Sequence, residues 1–117
     1  RTIRKNLQFL RGQTLFEQKG SDPVVIQADT LKAIRQFREK GAEFDLIFLD
    51  PPYGRDLARK SLIALGQYAI IPLLGLVVAE HDKREVIPAE IEGKEARLIL
   101  QRSVRYGDTA LTFYRRQ

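Results

Sequence analysis

Apolar residues recur along this chain with two different periods, and the switches between them mark out helices and strands. From Arg1 to Gln13, Ile3, Leu7 and Leu10 share one helical face, with Arg4, Lys5, Gln8 and Arg11 elsewhere and Gly12 as a stop. Ser21-Asp22-Pro23 is a turn signal, and the β-branched run Val24-Val25-Ile26 predicts a short strand after it. Leu31, Ile34 and Phe37 repeat at helical spacing up to Gly41, with Asp29 or Thr30 placed to cap the first turn. Leu46 to Leu49 is a continuous apolar run, the pattern of a strand buried on both faces, and it stops at Asp50-Pro51-Pro52. Arg55 to Tyr68 reads as a helix with Leu57, Ser61, Leu62 and Leu65 inward. Pro72 and Gly75 punctuate a turn before Leu76 to Ala79, a second doubly buried strand. Ala96 to Leu100 and Ala110 to Tyr114 read as final strands joined through Arg105-Tyr106-Gly107-Asp108, and with no helix between them they should pair antiparallel.

The predicted order is helix, strand, helix, strand, helix, strand, strand, strand. Such alternation implies a single α/β domain over residues 1–117, with a mostly parallel sheet and a C-terminal antiparallel hairpin. Composition narrows the chemistry. Hydrophobic residues make up 44% of the chain and charged residues 30%, which suits a packed domain rather than a disordered tail. There is no cysteine and one histidine, so disulfides, cysteine-based zinc sites and multi-histidine metal sites are excluded, and no metal is expected. Absence of cysteine fits a cytoplasmic protein. The longest apolar candidate, Tyr68 to Ala79, carries a proline and a glycine and falls short of the ~20 residues a spanning helix needs, so no membrane association is expected. A formal charge of +5 favours polyanionic partners.

The sharpest chemical feature is Asp50-Pro51-Pro52-Tyr53, placed after a buried strand. In open α/β sheets, ligands bind beyond the carboxyl ends of the strands. An exocyclic amine on a nucleobase is a poor nucleophile because its lone pair is delocalised into the ring. Acceptors for its hydrogens turn that lone pair toward an electrophile, and the Asp50 carboxylate and Pro51 carbonyl are candidates. Two prolines fix the backbone and offer no competing N–H. Tyr53 offers a face on which a flipped or single-stranded base can stack. The alternative is a plain strand-terminating turn.

Phe44 to Tyr53 resembles the motif of amino-methyltransferases in which the fourth strand of a class I fold ends in Asp-Pro-Pro-Tyr. Gly75 to His81 and Arg105 to Ala110 are similar to later strand ends of the RsmD family of small-subunit ribosomal RNA guanine-N2 methyltransferases. The resemblance implies a Rossmann-like three-layer fold, S-adenosylmethionine as cofactor, and ribosomal RNA or the small ribosomal subunit as partner. It implies that Asp50, Pro51, Pro52 and Tyr53 are catalytic and that Asp29 and Thr30 hold the adenine, a role compatible with capping. His81, Arg105, Tyr106 and the phosphate-contact candidate Arg55 would bind substrate, although a lone histidine and a polar turn are also common structural features. An adenine-N6 DNA methyltransferase is the rival enzyme.

One departure stands out. The family's glycine-rich loop and the acidic residue of its second strand have no counterpart here, and Arg1 to Asn6 resembles the helix after that residue. The first two strands are therefore expected to be absent, with two inner sheet edges left unpaired, self-association through them, and a chain that alone is inactive. A non-catalytic nucleic-acid-binding module fits the same absence.

Overall fold

The computed structural model describes residues 13–26, 29–51 and 56–117. The expected first helix, apart from Gln13, lies outside them. The described elements are β1 (Thr14–Glu17), β2 (Val24–Ile26), α1 (Thr30–Glu39), β3 (Leu46–Leu49), α2 (Leu57–Gln67), β4 (Leu76–Asp82), β5 (Glu90–Glu92), β6 (Arg97–Tyr106) and β7 (Thr109–Arg116).

Seven strands form one sheet in the order β2-β1-β3-β4-β7-β6-β5. Only β3 and β4, among the described strands, pair parallel; every other neighbour is antiparallel. The expectation of a mostly parallel sheet is thus corrected. Strand β1, absent from the predicted order, slots antiparallel between β2 and β3, with Leu15 opposite both Val25 and Phe48. The inner edges expected to be open are closed by this strand, which removes the basis for self-association there. Strand β5 was also absent from the predicted order; it has a single buried residue, Ile91, between two exposed glutamates.

Both described helices lie on one face of the sheet. Ile34 from α1 and Leu62 and Leu65 from α2 join Ile47 and Leu49 of β3, Val77 and Ala79 of β4 and Tyr114 of β7 in one core. Two layers are therefore described, against the three expected. Phe16, Phe37 and Phe44 pack edge-on or tilted, with ring centroids 4.8 to 5.2 Å apart, and pin α1 to β1. Helix α2 abuts the β5–β6 turn so closely that the Gly66 carbonyl accepts from both Glu95 and Ala96 N–H at 3.0 and 2.9 Å.

Strands β6 and β7 run further than their apolar cores suggested, to Tyr106 and from Thr109. Arg105 and Tyr106 are therefore strand residues and not part of the turn, which is Gly107-Asp108 alone. Gly107, at φ +59, takes the left-handed position such a two-residue loop requires. Strand β6 also carries a bulge at Gln101: Leu100 faces Tyr114, and Arg102 already faces Phe113.

Candidate functional site at the carboxyl edge

Strands β2, β3 and β4 point the same way, because β1 reverses between the first two. Their carboxyl ends, the start of β1 and the β6–β7 turn consequently share one edge of the sheet. The described candidate positions Asp29, Thr30, Asp50, Pro51, His81, Arg105 and Tyr106 all lie toward this edge for that topological reason.

Asp50 follows Leu49 directly and is only 5% exposed. Pro51 is buried too. The Asp50 N–H donates to the carbonyl of Gln13 at 3.1 Å, so the residue just before β1 pins the turn. Leu49 pairs with Ala79 in the parallel register, and beyond that last pair β3 gives way to Asp50-Pro51 while β4 continues through Glu80 and His81. Pro52, Tyr53 and Arg55 lie outside the described residues.

Asp29 and Thr30 sit two strands away, beyond β2. Asp29 takes a left-handed backbone, φ 44, and its side chain accepts from Lys32 N–H at 3.1 Å, which makes it the N-cap of α1. The Thr30 hydroxyl meets that of Thr14 at 2.8 Å, tying the start of α1 to the start of β1. Thr14 is fully buried.

His81 is 5% exposed and hydrogen-bonded at both ring nitrogens. Nδ1 is 2.9 Å from the carbonyl of Asp82, and Nε2 is 2.7 Å from the Thr112 hydroxyl. A carbonyl only accepts, so Nδ1 carries a hydrogen. In the neutral ring Nε2 then accepts from Thr112, whose oxygen accepts in turn from the Ser103 hydroxyl 3.0 Å away. The lone histidine is a satisfied wall residue.

The bulge at Gln101 decides what that wall faces. Leu98 and Leu100 point toward the helices, and strict alternation would continue with Arg102, Val104 and Tyr106. The extra residue reverses the parity, so Ser103 and Arg105 point there instead, paired with Thr112 and Ala110. Arg105, Ala110 and His81 form one row across three strands, beside a cavity of about 180 Å³. Tyr106, 52% exposed, faces the other side, away from His81. Arg102, also turned outward, lies 4.7 Å over the Phe113 ring.

Sequence reading missed Lys83, Glu85, Ser103 and Thr112, which line this cavity too. The polar positions of β7 were a signal, but the bulge that aims Ser103 at them has none. Burial raises the Glu85 carboxyl above its usual range, with His81 opposing and Asp56 and Asp82 adding to the rise. Asp82 sits on the opposite side of β4, where the Arg84 guanidinium holds its carboxyl well below the usual range. Lys83 pairs with Asp108 at 3.3 Å.

Comparison with known proteins adds kinship to this geometry. The family model described as "Conserved hypothetical protein 95" matches residues 1–115. "Putative rRNA methyltransferase YlbH" of Bacillus subtilis (strain 168) is 28% identical over 93 residues, covering 80% of this chain and 48% of that protein. A solved conserved hypothetical protein of Streptococcus pyogenes superposes with TM-score 0.65 at 29% identity, over 79% of this chain and 53% of that one. "Putative methyltransferase yhhF" from Escherichia coli shares the fold at TM-score 0.59 and 22% identity, over 79% and 46%. The chain spans about half the length of these relatives.

Proposed function

Because the chain belongs to the conserved hypothetical protein 95 family, the RsmD-like methyltransferases, we propose that it is the amine-holding part of an enzyme that methylates guanine N2 in small-subunit ribosomal RNA. The observation that carries the reading is the buried Asp50-Pro51 turn at the carboxyl end of β3, next to the parallel strand β4 that carries Glu80 and His81. The Asp50 carboxylate and the Pro51 carbonyl accept the two hydrogens of the target amine and leave its lone pair directed away from the sheet edge. Asp50 is also a place for the proton that the nitrogen sheds once it gains a bond. Catalysis of this kind is positioning and hydrogen bonding, without a covalent enzyme intermediate. The relative described as "Putative rRNA methyltransferase YlbH" supports RNA over duplex DNA as substrate.

S-adenosylmethionine, when bound, supplies the electrophilic methyl group. The described residues fit only its adenine end, through Asp29. In the next slot β1 runs reversed, and its buried Thr14 is committed to Thr30, so among the described residues no glycine-rich loop faces the donor's methionine end. No step is therefore assigned to these residues on the donor itself.

The test is labelled methyl transfer to small-subunit rRNA and to duplex DNA by the complete enzyme of which this chain is proposed to be part, and by its Asp50→Asn variant. Transfer to RNA is expected, with turnover falling roughly 10²-fold or more in the variant while cofactor binding changes little. Near-normal turnover in Asp50→Asn, or transfer to DNA alone, rejects the assignment. The reversed β1 also favours a second reading, in which these 117 residues bind nucleic acid without the donor. Calorimetric titration with S-adenosylmethionine should then show no micromolar binding to the 117-residue chain; micromolar binding excludes that reading.

A further inference from the structure

We propose that the cavity beside His81 is a second nucleobase pocket, one that takes a guanine neighbouring the methylated base in the RNA strand. The inference rests on RNA being the substrate. Neither Asp50 nor Pro51 lines this cavity, which sets it apart from the described part of the amine site. At about 180 Å³ it is large enough for one base and small for anything much larger.

Its chemistry is divided. Ile87 and Leu100 supply apolar surface for a ring, and the His81–Thr112 pair supplies a buried, internally satisfied wall that asks nothing of a ligand. The Arg105 side chain forms no ion pair or hydrogen bond among the described residues and stays exposed, although the bulge has turned it to the cavity's side of the sheet. Glu85 likewise has a side chain engaged in no hydrogen bond there, and it is partly withdrawn from solvent. A guanidinium and a carboxylate lining one cleft without closing on each other need a ligand with both kinds of edge. Guanine is the base that has them: O6 and N7 are adjacent acceptors for a guanidinium, and N1–H and N2–H are adjacent donors for a carboxylate. Adenine presents a donor where guanine has O6. Cytosine has adjacent acceptors in O2 and N3 but no adjacent pair of N–H groups like N1–H and N2–H, and uracil has neither pair. A bare phosphate is opposed by Glu85, while Lys83 is already engaged by Asp108. Recognition of unstacked bases on both edges is the usual way proteins read single-stranded RNA.

The one histidine in the sequence lines the cavity, so its ring-proton resonance in the 117-residue chain reports occupancy directly. Titration with GMP should move that resonance saturably, while AMP, CMP and UMP bind roughly 10-fold more weakly. Glu85→Gln should erase the preference for GMP, and Arg105→Gln should weaken GMP by a similar factor, both with an unchanged circular dichroism spectrum. Equal response to the four nucleotides, no response to any, or a shift reproduced by inorganic phosphate overturns the proposal. No methyl donor enters this titration, so the pocket can fail while Asp50-dependent transfer stands, and the reverse.

Discussion

Replacing Thr112 by Val tests whether the wall beside the cavity is held by its hydroxyl. The two side chains have nearly the same shape, so the change removes hydrogen bonds without opening a void. Two contacts are lost: the one at 2.7 Å to His81 Nε2, which is fully buried, and the one at 3.0 Å to Ser103 Oγ. The stranded imidazole nitrogen costs about 1–3 kcal/mol, because it cannot recover water where His81 is 5% exposed. The half-exposed Ser103 contact adds about 0.5 kcal/mol. A total near 2–3 kcal/mol lowers the melting temperature by roughly 8–12 °C for a domain of this size. The chain has no tryptophan, so urea unfolding is best followed by far-ultraviolet circular dichroism. A double-mutant cycle with His81→Leu isolates the pair: with both partners apolar, Thr112→Val should cost about 1–2 kcal/mol less than it does alone. A single-mutant loss below about 0.5 kcal/mol, or strict additivity in the cycle, would refute the hydroxyl–imidazole chain.

Other positions give independent checks. A Cβ on Gly93 would lie 2.2 Å from the Gly66 carbonyl carbon and 2.3 Å from its oxygen, all rigid backbone, so Gly93→Ala should destabilise by about 3 kcal/mol or more in the same denaturation assay. Gly20→Ala meets nothing within 4 Å and should cost only the strain of its positive φ, about 1 kcal/mol. Asp29→Ala loses both the cap and a side chain suited to the left-handed region, about 2 kcal/mol together, whereas Asp29→Gly loses the cap alone; equal costs would contradict the φ argument. The Tyr114 hydroxyl donates to the Pro88 carbonyl at 2.7 Å, and burial pushes its pKa well up. The unfolded chain releases this proton first, so stability should fall as pH rises above about 10, the ordinary tyrosine value. Tyr114→Phe should cost about 1 kcal/mol at neutral pH and make that alkaline decline shallower, as pH-dependent melting will show.

What the sequence made legible follows from how local each signal was. The runs Leu46 to Leu49 and Leu76 to Ala79 sit in adjacent parallel strands, as continuous apolar stretches suggest. Leu31, Ile34 and Phe37 mark α1 because one period of 3.6 covers them. Thr14–Glu17 escaped because four residues just after a glycine carry no period of their own; the strand exists through its pairing with β3, which is a tertiary effect. Ile91 alone could not announce β5. The site divides in the same way. Asp50 was readable from its place after a buried run, but the cavity was not, since one unpredicted bulge at Gln101 determines which face Ser103 and Arg105 occupy.

The direction of β1 bears on chemistry as well as on topology. A parallel strand in that slot would bring its carboxyl end, and the loop after it, to the edge where Asp29 and Asp50 sit. The antiparallel strand brings its beginning instead. Its flanking carbonyl, on Gln13, is then taken by the Asp50 N–H, and its first side chain, Thr14, by Thr30. Both contacts brace the turns on either side, and neither leaves a backbone N–H row of the kind that cradles a charged ligand. Neighbouring strands lie about 4.8 Å apart, so this single reversed strand separates Asp29 from Asp50 by roughly 10 Å of already satisfied structure. The Asp50-Pro51 turn, proposed above to hold the amine, is braced by that arrangement. Binding of the methyl donor requires groups that these contacts do not provide.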